Sequence, residues 1–154
     1  MAENADLIKL YSSRILALAA DIPHHARLDA PQVSVKRRSP LCGSTVTVDL
    51  DMQGGQVSRF GQDVKACALG QAAAALLGQV VIGRSKEELA QARDQLREML
   101  IRNGPVPDAP FEGFEVLIPA REYRNRHASI LLALEAATEA AQQLATEQDG
   151  LRAP

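Results

Sequence analysis

The chain has two thiols, Cys42 and Cys67, and the residues around each decide what chemistry they could do. Cys42 lies in Ser39-Pro40-Leu41-Cys42-Gly43-Ser44, a Pro/Gly turn ahead of an alternating stretch. Cys67 lies in Ala66-Cys67-Ala68-Leu69-Gly70-Gln71, at the head of a small-residue run that reads as a helix. A thiol at a helix N-terminus faces unpaired backbone N–H groups and the positive end of the macrodipole, which favours its thiolate. Thiolate is the form that ligates metal or attacks sulfur. Twenty-four residues separate the two cysteines, which is not a zinc-finger or ribbon spacing. On spacing alone they read first as two ordinary free cysteines, with a metal-binding or sulfur-handling pair as the alternative.

The three histidines are read the same way. His24 and His25 sit in a loop, and two adjacent loop side chains seldom converge on one ion, so they read as solvated. His127 falls at or near the start of the last helix and, taken alone, reads as a surface or cap residue. Carboxylates are scattered without a paired arrangement. No Gly-x-Ser-x-Gly elbow and no Gly-rich phosphate loop is present.

The elements that must position these groups follow from periodicity. Leu7, Ile8, Tyr11, Ile15 and Leu18 recur at helical spacing over 5–20, and Asp21-Ile22-Pro23 stops that helix. A first strand is expected at 31–38, with Val33 and Val35 on one face. In the second, Val46, Val48, Leu50 and Met52 face one way, and Thr45, Thr47, Asp49 and Asp51 face a wet side. Gly54-Gly55 turns the chain into a third strand through Val57 and Phe60 toward Val64. Cys67 then opens a helix that ends near Gly83. Its string Gly70, Ala72, Ala73, Ala74 and Ala75 reads equally as helix propensity and as a thin surface letting the backbone and thiol lie close to the sheet and the first cysteine. Ser85 with Glu88 is a capping box for a helix to about Leu100. Residues 102–114 read as a loop, and Pro119 suits the first turn of a helix. From Ala128 onward, Ile130, Leu131, Leu134, Ala137, Ala141 and Leu144 line one face of the closing helix.

At 154 residues the chain fits one domain, expected over 1–147 with a frayed tail at 148–154. Its apolar content is rich in alanine and leucine and holds no tryptophan, which points to an aliphatic, helix-rich core. A net charge of −2, with no basic stripe interleaved with aromatics, argues against a nucleic-acid partner. Lys36-Arg37-Arg38 reads as a solvated strand end. The segment Met1–Asp6 is acidic, the wrong sign for a secretory leader, and no apolar run approaches the roughly 18 residues of a membrane span. The cytoplasm is the expected compartment, where both cysteines would stay reduced.

Taken together, Ser39-Pro40-Leu41-Cys42-Gly43-Ser44, the Ala66-Cys67 helix start and Gly83-Arg84 resemble the NifU-type iron–sulfur scaffold family, the IscU and SufU proteins. That family carries Asn-Pro-x-Cys-Gly-Asp before a strand and Gly-Cys at the start of a Ser/Ala-rich helix. Arg126-His127-Ala128-Ser129-Ile130-Leu131 resembles its His-Cys-Ser-Ile-Leu, and the likeness extends over roughly 5–144. The resemblance implies an α+β domain, a three-stranded antiparallel sheet packed with helices. It also implies an assembly platform that holds a nascent cluster, takes sulfur from a cysteine desulfurase and passes the cluster to apo iron–sulfur proteins. Soft thiolates suit both iron–sulfur clusters and zinc. The implied ligands are Cys42, Cys67 and His127, with Ser44 a poor fourth and Asp49 or Asp63 as stand-ins. The cargo is a 2Fe–2S type cluster or zinc, its shell completed by another ligand or by a second subunit of a homodimer. This chain departs from the family pattern in two ways. Ser44 stands where the family has Asp. The third cysteine is missing: with Ser129-Ile130-Leu131 in step, Ala128 takes its place and His127 matches the family histidine, while a slide by one puts His127 at the cysteine position. A zinc-bound sulfur acceptor that stimulates a desulfurase, and a metal-free interaction module, are the alternative functions.

Overall fold

The structure is a computed structural model; it describes residues 10–40 and 43–152, with side chains described as far as Glu147. Helix α1 (Ser13–Ala20) is followed by strands β1 (Val33–Arg38), β2 (Thr45–Gln53) and β3 (Gln56–Lys65). Helices α2 (Ala68–Val80) and α3 (Lys86–Ile101), a 3-10 segment (Glu112–Glu122) and the long α4 (Arg124–Arg152) complete the chain. The strands form one antiparallel sheet in the order β1-β2-β3, as the alternating pattern requires.

One face of the sheet carries Val33, Leu50 and Phe60 in register, then Val35 and Val48, then Val46 and Val64. Helix α4 lies against this face along β1 and β2 and also packs on α2 and α3. The thin helix is packed from two sides. A Cβ at Gly70 would lie 2.5 Å from Ser129 Oγ of α4, and one at Gly78 would lie 3.0 Å from the Pro23 carbonyl. The small-residue run is therefore a close-packing device, and its neighbours there are α4 and the α1–β1 loop.

Three expectations need correction. The helix expected over 5–20 is interrupted at Tyr11–Ser12, because the Ser12 hydroxyl accepts from the Ile15 amide and starts α1 afresh; residues 5–9 lie outside the described residues. Pro119 sits inside the 3-10 segment, which tolerates a missing donor better than an α-helix, and α4 starts at Arg124. The outer sheet face is not wet at its centre: Asp49 is fully buried there under the α1–β1 loop.

That loop is tied down at many points. The His24 carbonyl accepts from the Gln62 amide at 2.9 Å, and His25 Nε2 accepts from the Val64 amide at 3.3 Å. Both donors belong to the edge strand β3, so the histidine pair covers an edge that would otherwise be open. A Cβ at Gly61 would lie 2.4 Å from the Ala26 carbonyl, so glycine lets the loop cross the strand. The capping box of α3 forms as the sequence predicts: Ser85 Oγ accepts from the Glu88 amide and Glu88 accepts from the Ser85 amide, both at 3.1 Å.

Candidate metal centre

Cys67 is the N-cap of α2, directly after β3, and is partly exposed. Its side chain makes no capping bond within its own helix. It faces α4 instead, with Sγ 3.5 Å from Ser129 Oγ. Ser129 Oγ is in turn 3.2 Å from Ser44 Oγ, so a short chain of polar atoms joins α2, α4 and the start of β2. Ser129 and Ser44 are buried, and the room for Ser129 comes from the missing side chain at Gly70. The turn leading to Ser44 is closed at its base: the Ser39 amide donates to the Ser44 carbonyl at 2.8 Å and the Gly43 amide to the Ser39 carbonyl at 3.0 Å. Gly43 has a φ of +72°, the left-handed region that glycine enters without steric cost. Cys42 lies outside the described residues.

His127 is buried in the first turns of α4, and its Nε2 lies 2.9 Å from the Ala120 carbonyl oxygen. A carbonyl only accepts, so Nε2 carries the proton and a neutral ring presents a lone pair at Nδ1. Metal-bound histidines are usually oriented in this way, one nitrogen donating to a carbonyl and the other free to ligate. The carbonyl is itself held in place. Arg121, next in the chain, donates to the Met99 carbonyl and the Gly104 carbonyl, each at 2.7 Å, locking the 3-10 segment onto the end of α3.

The structure thus brings Ser44 and Cys67 together through Ser129. Among the described residues the hydrogen bond of the His127 ring runs to Ala120 and not to this group. Two positions along an α-helix differ by roughly 200° in direction, so His127 and Ser129 leave α4 on different sides. Among the described residues no three His, Cys, Asp or Glu side chains gather to hold an ion.

Asp49 is not available as a stand-in ligand, a further correction. Arg27 Nε donates to one of its carboxylate oxygens at 2.7 Å and Arg27 Nη2 to the other at 3.1 Å. The Ser34 hydroxyl at 2.6 Å and the Leu28 amide at 3.0 Å complete its shell. Burial pushes this carboxyl's pKa up, but the bonds from Arg27, Ser34 and Leu28 and the Arg27 charge together outweigh it and hold it below the ordinary value.

Sequence reasoning missed Ser129 as a site residue. The signal was a hydroxyl within an otherwise apolar helical stretch, matched by a glycine at the third position after Cys67.

A three-stranded antiparallel sheet backed by helices, with a cysteine capping the helix after β3 and a histidine at the head of the last helix, makes this an α+β domain. The chain resembles in structure the N-terminal part of a nitrogen-fixing NifU-like protein from Brucella abortus. The two are 39% identical, with a TM-score of 0.89, over 92% of this chain and 99% of that one. The chain belongs to the NifU-like family. Among curated proteins it is 24% identical to the iron–sulfur cluster assembly scaffold protein IscU of Streptococcus pyogenes serotype M1. That match runs over 125 residues, 81% of this chain and 78% of that protein. FiSufU of the SUF system, from Fervidobacterium islandicum AW-1, shares the fold at 18% identity and a TM-score of 0.77, over 87% of this chain and 98% of that one. No family model matches the sequence. No helix among the described residues is long and apolar enough to cross a membrane.

Proposed function

We propose that this protein is an iron–sulfur cluster assembly scaffold or accessory protein, holding a cluster or zinc as cargo at Cys42 and Cys67, with His127, which leaves α4 on a different side from the Cys67 partner Ser129, as the proposed third ligand. Membership of the NifU-like family carries the reading, and the curated likeness to the streptococcal IscU scaffold points the same way. The donor chemistry supports it. Cys67 is partly exposed and its thiol is unspent on its own helix, as a ligand to a transferable cargo must be. Cys42 is two residues in sequence from Ser44, whose hydroxyl is linked through Ser129 to the Cys67 sulfur. His127 has its Nε2 committed to a carbonyl, which leaves Nδ1 as the ligating atom. With two thiolates and one imidazole the shell keeps a position open for a further ligand, a second subunit or a recipient protein. Ser44 serves as a weak neutral ligand at most. A cysteine desulfurase supplies sulfur and apo iron–sulfur proteins receive the cargo.

The test is anaerobic purification of the chain with assay of iron, zinc, acid-labile sulfide and visible absorption. The reading predicts thiolate-to-iron charge-transfer bands that disappear in Cys42→Ala and Cys67→Ala and shift in His127→Ala. Stoichiometric, colourless zinc that is lost in the same variants would instead identify a sulfur acceptor. Neither metal, with no persulfide on either cysteine after incubation with a desulfurase, would overturn both.

A further inference from the structure

A cavity of about 810 Å³ opens beside the head of α4, bounded by the end of β1, the end of α3 and the 3-10 segment. Four guanidinium groups line it, those of Arg37, Arg38, Arg121 and Arg124. Two are committed within the fold: Arg37 pairs with Glu139 at 2.8 Å, and Arg121 donates to the Met99 and Gly104 carbonyls. Arg38 and Arg124 are exposed and make no hydrogen bond or ion pair among the described residues. Two carboxylates also line the cavity, Glu122 and Glu135, and Glu135 already accepts from Arg97 at 3.3 Å. The lining is therefore net cationic in a chain whose overall charge is −2.

The head of α4 adds an independent observation. Helix N-termini favour Asp and Glu, yet the first turn of α4 has no acidic residue and reads Arg124-Asn125-Arg126-His127. Basic side chains there oppose the macrodipole, and a bound anion would relieve both the dipole and the guanidinium charges. Leu100, Leu131 and Leu132 line the cavity but are buried, and it is the exposed Ile101 that offers apolar surface to a carbon skeleton. The volume lies in the range of small-molecule sites, and guanidinium forks match planar carboxylates bidentately.

We propose that this cavity binds a small polycarboxylate, its acid groups held by Arg38 and Arg124 and its carbon skeleton resting on Ile101. His127, the imidazole proposed as a ligand, also lines this cavity, but the proposal does not rest on the cluster-scaffold reading, and the same binding is expected in Cys67→Ala protein. The test is calorimetric titration of the full chain at low ionic strength with citrate, succinate and inorganic phosphate, alongside amide chemical-shift mapping. Citrate is expected to bind saturably at one site, shifting the amides of Ala128 and Leu131, and to bind better than phosphate, which has no skeleton for the apolar surface. The Arg38→Ala/Arg124→Ala double variant should weaken citrate by about tenfold or more. The milder Arg124→Gln should weaken it less, and Arg14→Ala, on α1, should leave it unchanged. Absence of saturable binding by either carboxylate, equal affinity in the double variant, or tighter binding of phosphate than of citrate would overturn the proposal.

Discussion

Asp49 and Cys67 are both polar side chains drawn toward the interior, yet their surroundings differ in kind. Around Asp49 four donor groups from Arg27, Leu28 and Ser34 meet two carboxylate oxygens, so the group is saturated and has nothing left to offer a ligand. Around the Cys67 thiol the single hydrogen-bonding contact among the described residues is a neutral hydroxyl at 3.5 Å, and the sulfur stays partly exposed. A saturated charge holds a loop in place, whereas an under-coordinated thiol can take a ligand. Both lie at seams where distant segments meet, and only the supply of partners sets their roles apart.

Mutation should separate the two most clearly in stability. Asp49→Ala removes the shared acceptor that ties the loop down, although the exposed Arg27 and Ser34 donors can turn to water, and is expected to cost about 1–2 kcal/mol in chemical denaturation. Cys67→Ala removes a partly exposed sulfur and should change stability by well under about 1 kcal/mol. Equal losses at the two positions would erase the distinction. Gly70→Ala is of similar size. Its methyl group would collide with Ser129, so a loss of about 2 kcal/mol is expected, with altered reactivity at Cys67 because its hydroxyl partner is displaced.

Acid should act on the saturated side. The folded-state carboxyls of Asp49, Asp51 and Glu88 lie below their ordinary values. For Asp51, burial pushes upward but is outweighed by the Gln32 amide and by Arg59; for Glu88 the Ser85 amide is the leading cause of the lowering. The unfolded chain therefore takes up protons first as pH falls. Their contribution is complete above the ordinary carboxyl range of about 4 and is lost as pH drops through the lowered folded values. Denaturation midpoints should be flat above about pH 5 and fall below about pH 4, less steeply in Asp49→Asn. The smallest effect is expected at Ser129→Ala. Without its hydroxyl donor the Cys67 thiolate should alkylate about threefold more slowly at fixed pH in a Cys42→Ala background, the size of one modest hydrogen bond.

What the sequence made legible follows the same division. Local signals were read correctly where cause and effect lie within a few residues: the capping box at Ser85 and Glu88, the turn at Gly54-Gly55 and the cysteine at the head of α2. The burial of Asp49 depends on Arg27, twenty-two residues earlier, and alternation along β2 carries no record of a loop arriving from elsewhere. Ser129 lies sixty-two residues from Cys67 and eighty-five from Ser44, so its part in the site emerges only once α4 is packed. The break at Ser12 was hidden for a different reason. The apolar spacing continues through it, and one hydroxyl-to-amide bond decides where the helix begins.

The central claim is that thiolate and imidazole from this chain hold the cargo, and X-ray absorption at the metal edge of anaerobically loaded protein tests it directly. For zinc, the account predicts sulfur scatterers at about 2.3 Å with a nitrogen near 2.0–2.1 Å, the nitrogen lost in His127→Ala and sulfur reduced in Cys67→Ala. A shell of oxygen and nitrogen alone, identical in wild type and Cys67→Ala, would contradict it.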